Sequence, residues 1–549
     1  MGTASQKIAK LMKWCSEQEI EVDPRLEITT TPTGIGVRAK RDYLAFPLTL
    51  VKIPKTAVLS TRTCSLSRIL GDRSDWHGYL LSLPDAVDLA LFWGTDQSHL
   101  LFDPQDASDG DQARVWLVGT EVENELRNNE SGEDILGDID DYYDTIVQPL
   151  MDRMGLLSSA ADYYRAYALV SSRAFLVDAY HGLSMVPIAD VFDHTNENHV
   201  HLESDFDVCV SCGALSECPH DNESDELLMD GSSSSPLATT KAIRSDDEPR
   251  ARAKSPESNL PKEKDNTCDM VSNRPITADT EVFNTYGERL SNASLLVRYG
   301  FMIDGNEWDA VHWTTEDLTS SESSLCEGID LAALLANAPH LPGDTWTGSS
   351  LVYYHSVDDG AQQDSRTDRS ALCLNSDGKI SDRLWTLCAL IVLHRRGSKS
   401  LGADAEFTQL AVTQLELEAE MLNESDADEV VSDGASSAEI DPECRTRTPG
   451  DPLAPCAGRD ASHLARKQLW DASHRDEEPV FDIARLVQHI CRFRMNKMLR
   501  SQDMSSRGVA EVLDDVPEGM HRTRMAMMQV INEKSLLETC VSLWNELIP

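Results

Sequence analysis

Apolar residues near the start of the chain fall at helical spacing. Ile8, Leu11, Met12 and Cys15 predict one amphipathic helix within residues 1–20. The period then changes. Leu26, Ile28 and Thr30 alternate, so this stretch reads as a strand. "TPTGIG" reads as a turn and "VRAKRDY" as a second strand. "LTLVKIPKTAVLS" continues the β pattern. From about Thr63 to Tyr180 the spacing is helical, through "WHGYLLSLPDAVDLALFW", "LVGTEVENEL", "DDYYDTIVQPLMDRMGLL" and "ADYYRAYALVSSRAFLV", the last ending near Phe175. β-type sequence returns with "GLSMVPIADVFDHTNENHVHLES" and, after a polar stretch, "TEVFNTYG". Helical patterns fill the C-terminal part: "SDRLWTLCALIVLHRR", "FTQLAVTQLELEAEML", "PVFDIARLVQHICRFRMNKML" and "RMAMMQVINEKSLLETCVSLWNEL".

Composition separates ordered from unordered stretches. Residues 221–270 are rich in Ser, Pro and charge and poor in aromatics, so they cannot bury enough apolar surface to fold. A disordered loop inside a domain is expected there, and a second disordered segment over 424–460. The fold class is therefore α+β. An N-terminal helix occupies residues 1–25. A β-rich domain is built from 26–62 and 181–305, with a helical insert at 63–180. An all-α domain spans 306–549.

With 549 residues and 41% hydrophobic composition, the chain can bury more than one core. No apolar run is long enough to span a bilayer. The first residues lack the apolar core and cleavage site of a secretory signal. They begin Met-Gly with Ser5 near a myristoylation position, but Lys7 and the amphipathic pattern favour a structural start. The net charge of −44 repels phosphate backbones and disfavours nucleic-acid binding; it suits a basic partner. Thirteen cysteines without a secretory signal point to reduced thiols in the nucleus or cytosol. "PRARAK" (249–254) is a short basic run of the kind that import machinery reads, or simply a solvated loop.

Three motifs follow one another: "TGIGVRAKRD" (33–42), "MVPIADVFDHTNENHVH" (185–201) and "VFNTYGERLSNASLLVRYGF" (282–301). Each alone is a common turn, polar pair or packing contact. In this order, with the helical insert between the first two and "VSSRAF" ahead of the second, they resemble the SET-domain protein lysine methyltransferases. The branch is that of the Rubisco large-subunit and ribosomal-protein lysine methyltransferases. The resemblance covers Ile28 to about Gly305 and extends loosely into the C-terminal part, read as a substrate-binding domain.

That resemblance implies a set of roles. Thr33, Gly34 and Ile35 would line S-adenosylmethionine with their backbone. Arg173 looks like the arginine that reaches the cofactor's carboxylate end, a task that suits a planar, always-charged fork. Asp190, Asp193 and His194 are similar to the cofactor-binding segment, which usually ends Asn-His; here Asp193 replaces the Asn, and Asn196 or Asn198 could supply the amide. Ser291, Asn292 and Ala293 resemble another cofactor contact. Tyr286 holds the place of the catalytic tyrosine, and Tyr299 that of the aromatic flanking the substrate lysine. Methyl transfer to an amine is an in-line displacement that needs positioning and a neutral lysine.

The implied function is S-adenosylmethionine-dependent protein-lysine methylation of a basic protein, ribosomal or histone-like, in the nucleus, the cytoplasm or both. Two alternatives stand beside it: histidine methylation by the same fold, and a non-catalytic interaction protein. A separate feature, "CVSCGALSECPH", offers Cys209, Cys212, Cys218 and His220. The Cys-x-x-Cys step has zinc-knuckle spacing. The expectation is a structural zinc site or, failing that, a cluster of reduced thiols. His199 and His201 alternate along a strand and are read as packing or surface residues.

Overall fold

The computed structural model describes residues 4–32, 34–43, 46–64, 77–127, 134–157, 159–215, 218–222, 266–319, 331–336, 338, 341–342, 344–355, 372–397, 404–432 and 477–548. Its strands are β1 Glu21–Val22, β2 Leu26–Thr31, β3 Gly34–Ala39, β4 Thr49–Pro54, β5 Ala174–Leu176, β6 Leu183–Met185, β7 Val200–Ser204, β8 Thr267–Ser272, β9 Val311–His312, β10 Val352–Tyr353, β11 Cys373–Leu374 and β12 Ile380–Ser381. The longer helices, with the one inside the third motif, are α1 Ala4–Glu17, α2 Pro104–Leu117, α3 Ala160–Arg173, α4 Asn292–Arg298, α5 Asp382–Arg395, α6 Asp404–Ser432, α7 Glu478–Lys497, α8 Ser506–Asp514 and α9 His521–Glu546. The chain divides into two units, Met1–Val87 with Asp162–Arg289, and Asp88–Ala161 with Leu290–Pro549.

The first unit holds the β-rich core. β2 and β3 form a hairpin paired from Leu26↔Ala39 to Thr31↔Gly34. The strand thus starts at Gly34, inside the stretch read as a turn, and the turn itself is tighter. β1, β4, β8 and β7 make an antiparallel four-stranded sheet in that order. Val37, Ile53, Phe192, Val200, Cys268, Met270 and Val282 have no exposed surface and form its centre. Each side chain of this size removed from water contributes about 1.5–3 kcal/mol. α1 closes the core with Leu11, Trp14 and Cys15, one helical stripe.

A buried ion group ties β4's end to the loop before β6. Lys55 Nζ lies 2.7 Å from Asp178 Oδ2 and also donates to the Asp205 carbonyl at 3.0 Å. His181 Nδ1 sits 2.9 Å from the same carboxylate. Lys55 is only 2% exposed and Asp178 fully buried, so this pairing satisfies charges that could not stay there alone.

Several sequence boundaries move. β8 begins at Thr267, inside the 221–270 stretch expected to be disordered, because Cys268, Met270 and Val271 bury against β4 and β7. Residues 219–222 form a short 3-10 turn; residues 223–265 lie outside the described residues. "TEVFNTYG" is not a strand; it is extended chain with isolated bridges such as Arg38↔Glu281 and His194↔Asn284. "WHGYLLSLPDAVDLALFW" is α-helical only over His77–Leu80 among its described residues, since Pro84 cannot continue a helix, and adds a 3-10 turn at Ala90–Phe92. The backbone of α6 runs on to Ser432, into the segment expected to be disordered; residues 433–460 lie outside the described residues.

In the second unit α9 is the central element. Thr523, Met527, Val530, Lys534, Leu537, Cys540 and Trp544 are buried along it at three- and four-residue steps. α2, α7 and α8 pack around it, and α5 packs on α7. Leu384, Trp385 and Leu387–Val392 make α5 buried on nearly every side. Ser381 caps it by accepting the Leu384 N–H. This unit is not purely helical: β10, β12, β11 and β9 form a small sheet in that order. Strands of two residues leave no alternation for a sequence reading to find. Residues 88–161 of the helical insert belong with the C-terminal helices here, because α2 lies along α9 and Arg522 pairs with Asp88.

Candidate functional site

The second motif carries a bend at a residue with positive φ. Ile188 is fully buried at φ +70° and ψ −41°. A β-branched residue there holds about 1–3 kcal/mol of backbone strain, a cost that tends to persist where a site dictates the chain path. The bend turns Asp190 inward. Tyr79 Oη donates to Asp190 Oδ2 at 2.8 Å, and Arg173 Nη1 donates to the Asp190 carbonyl at 2.7 Å. Burial raises the Asp190 carboxyl above its ordinary range, while Arg173 and Tyr79 pull it back. The side chains of Asp190 and Arg173 therefore first anchor the segment. Three polar atoms, Asp190 Oδ1, Arg173 Nε and Asn284 Nδ2, are buried without a hydrogen bond to the described protein.

Beyond the bend two extended segments run together. Asn284 N–H donates to the Asp193 carbonyl at 2.8 Å, and Thr195 N–H donates to the Asn284 carbonyl at 3.0 Å. His194, nearly buried, accepts the Tyr286 N–H on Nδ1 at 3.0 Å. An accepting Nδ1 fixes the neutral tautomer with its proton on Nε2. Burial pushes the imidazole pKa down, in the same direction. The His194 ring stacks on Tyr286 at 5.2 Å, and the Tyr286 hydroxyl donates to the Phe192 carbonyl at 3.2 Å. Asp193, His194 and Tyr286 are thus brought together, with Asn284 as the residue that joins them. Asn284 lies within the quoted third motif, two places before the tyrosine, and its near-complete burial is what no pattern could reveal. Asn198 donates to the Val200 carbonyl and is spent locally.

The first motif contributes the β2–β3 turn. Thr33 lies outside the described residues. Gly34 has φ +142°, a conformation that favours glycine, and nothing lies within 4 Å of where a Cβ would stand. Ile35 is half-buried opposite Thr30. At Gly36 a Cβ would come within 2.6 Å of Thr31 Cγ2 and 3.1 Å of Glu281 Oε1. Glu281 in turn faces Asp193. Burial first, then the Asp193 charge and a hydrogen bond between the two acids, raise the Glu281 carboxyl. Because the folded value lies above the unfolded one, this contribution to stability is full below the unfolded pKa and is lost as pH rises through the folded one. Asp193→Asn is expected to raise stability at pH 7–8 by several tenths of a kcal/mol, solvent screening keeping the gain small. It should also flatten the dependence on the acid side. Chemical denaturation across pH checks this; an unchanged or lower midpoint at pH 8 would refute it.

The remaining candidates lie in the second unit. Ser291 caps α4 by accepting the Ser294 N–H. Asn292 is fully buried: its Nδ2 donates to the Ile303 carbonyl and to Asp309, and its Oδ1 accepts the Ile303 N–H at 2.7 Å. Its amide therefore holds the 303–309 turn. Ala293 is buried. Tyr299 ends α4 with its phenol pushed up by burial and its ring 6.4 Å from that of Phe301.

The cysteine cluster forms a real constellation. One ligating atom from each of Cys209, Cys212, Cys218 and His220 lies within 4.8 Å of every other. His201, by contrast, pairs with Glu203, and His199 Nδ1 accepts the Phe283 N–H. The backbone N–H of Ser211 leads the groups that lower the Cys209 thiol to about 7.

No family model matches the chain. Ribosomal lysine N-methyltransferase 3 of Saccharomyces cerevisiae is 28% identical over 346 residues, covering 53% of this chain and 61% of that protein. N-lysine methyltransferase setd6 of Xenopus laevis is 24% identical over 333 residues, covering 54% and 57%. The chain is related to the SET-domain lysine methyltransferases. It spans about three fifths of the length of these curated relatives. Among solved structures, the SET domain of LSMT bound to lysine and AdoHcy aligns with 99% of this chain and 92% of its own, at a TM-score of 0.49 and 13% identity. These relatives are named for lysine, and the second and third motifs of this chain bring Asp193, His194 and Tyr286 together. No helix among the described residues is long and apolar enough to cross a membrane.

Proposed function

We propose that the chain is an S-adenosylmethionine-dependent protein-lysine N-methyltransferase that acts on a basic, ribosomal-type protein. One observation carries the reading: Tyr286 is held by the Phe192 carbonyl and by His194, where the second and third motifs run side by side. The name of the yeast relative supports a ribosomal target, and the net charge of −44 favours a lysine-rich one.

The donor set fits the cofactor. Arg173 Nε and Asn284 Nδ2 are buried donors with no hydrogen bond to the described protein, and Gly34 leaves open the space a Cβ would fill. Arg173 and Asn284 would hold polar ends of the cofactor, and the backbone at Gly34 and Ile35 would line it. When bound, the cofactor supplies an electrophilic methyl group. The chain then has to present a neutral amine in line with it. The Phe192 carbonyl and the Tyr286 oxygen can accept hydrogen bonds from an incoming amine and orient its lone pair. Desolvation of the lysine as it enters would favour the uncharged amine. Tyr299 is proposed as the aromatic flanking that lysine. Nucleus and cytosol are both compatible with such a target.

Calorimetric titration with S-adenosylmethionine, followed by transfer of a radiolabelled methyl group to isolated ribosomal proteins, tests the proposal. Micromolar binding and label on a lysine are expected. Label on histidine would replace the acceptor. Absence of cofactor binding would instead favour a non-catalytic scaffold, with Asp193 as the lesion.

A further inference from the structure

We infer that Cys209, Cys212, Cys218 and His220 form a structural zinc site that fastens the root of the β7–β8 connection. This stands apart from the proposed methyltransferase activity and does not rest on it.

The four residues come from two short pieces of chain that converge. The first is a knuckle turn. Gly213 N–H donates to the Cys209 carbonyl at 2.7 Å, and Cys209 N–H donates to the Ala214 carbonyl at 3.0 Å. Such a turn aims the sulfurs of a Cys-x-x-Cys step at one point. Gly213 makes it at φ +74°, where a Cβ would come within 2.8 Å of the Tyr180 ring. The second piece, Cys218-Pro219-His220, closes over the turn. His220 Nδ1 lies 3.6 Å from Cys218 Sγ and 3.8 Å from Cys209 Sγ. A tetrahedral ion with Zn–S of about 2.3 Å and Zn–N of about 2.0–2.1 Å has edges of roughly 3.5–3.8 Å, and these separations match them. Three thiols and one imidazole in tetrahedral array select zinc over harder or square-planar ions.

The position gives the site its task. Just before the knuckle, the Asp205 carbonyl accepts from buried Lys55, and the Phe206 carbonyl accepts the Ala179 N–H. Lys55 belongs to the Asp178–His181 ion group, so one side of the knuckle is already tied to the core. An ion joining Cys209 and Cys212 to Cys218 and His220 would fasten the other side. The chain would then leave the domain only after His220, although β7 ends at Ser204.

Metal analysis of the full chain, purified under reducing conditions without chelator, tests this. About one zinc per chain is expected, falling to near zero in Cys212→Ser and Cys218→Ser and staying at one in Cys64→Ser, whose thiol lies outside the cluster. Because a cysteine variant could misfold, cobalt exchange into the unmutated chain gives a second readout. Thiolate-to-cobalt charge-transfer and tetrahedral d–d absorption are expected. Less than about a tenth of an equivalent after zinc reconstitution would overturn the proposal. So would iron in place of zinc, full zinc in both variants, or octahedral cobalt spectra.

Discussion

Tyr286→Phe is expected to lower methyl transfer by about 10²-fold or more while changing S-adenosylmethionine affinity by no more than about twofold. The expectation rests on what the phenol does and what it leaves behind. Its ring stacks on His194 and its backbone N–H donates to His194 Nδ1; both survive the substitution. Only the hydroxyl that donates to the Phe192 carbonyl is lost. The fold and the cofactor contacts should therefore persist, and the loss should fall on presentation of the amine. Single-turnover transfer of labelled methyl, beside calorimetry of cofactor binding, separates the two. Full activity in the variant would remove Tyr286 from the chemistry. Equal loss of binding and transfer would make it a packing residue.

The second large effect lies in the helical unit, where four ionisable side chains, Arg494, Glu121, Glu533 and His312, share a buried site. Arg494 Nη2 is 2.7 Å from Glu121 Oε1 and within 3.9 Å of Glu533. Glu121 Oε2 is 3.0 Å from His312 Nδ1, and Glu533 accepts the Glu121 N–H at 2.8 Å. Burial raises Glu121, but Arg494 and His312 outweigh it and hold the carboxylate below its ordinary range. For Glu533, burial and then repulsion from Glu121 win, and its carboxyl is pushed up to about 8. Arg494→Met leaves Glu121 without its nearest cation and is expected to cost about 3–5 kcal/mol. The sign with pH is specific. A carboxyl raised in the folded state contributes its full stability below an unfolded value of about 4.3 and loses it as pH rises through the folded one. The unmutated unit should therefore weaken between pH 6 and 9, and the variant more steeply, since Glu533 then ionises with no arginine beside it. Urea midpoints at pH 6 and 9 check both parts. A cost below about 1 kcal/mol would mean that water reaches the group and screens it.

Legibility in the sequence followed the length over which a physical pattern repeats. α9 could be read because Thr523, Met527, Val530, Leu537 and Trp544 keep a helical period across the whole element. The β2–β3 hairpin could be read because Leu26 and Ile28 alternate with polar neighbours. β9 to β12 could not, since two residues carry no period. β8 was hidden because "TCDMVS" follows a long polar stretch, and its burial depends on pairing with distant β4 and β7. The candidate site divides in the same way. Tyr286, His194 and Asp193 stand in quotable motifs. Tyr79 does not, and its bond to Asp190 spans 111 residues. Asn292 was recognisable as a motif member, but its amide is committed to Ile303 and Asp309. Burial of that kind is a property of the folded neighbourhood and has no local signature.

The pairing of β7 with β8, Ser204 opposite Cys268, has an engineering consequence. Antiparallel partners hold the two chain ends about 5 Å apart whatever lies between them. The entropy of closing such a connection grows only logarithmically, by about 0.6 kcal/mol for each doubling of its length. A reporter domain or a recognition peptide spliced in after His220 would thus leave the sheet's register and the Tyr286 neighbourhood unstrained. The protein carries, in effect, a socket for cargo whose fit depends only weakly on the cargo's size.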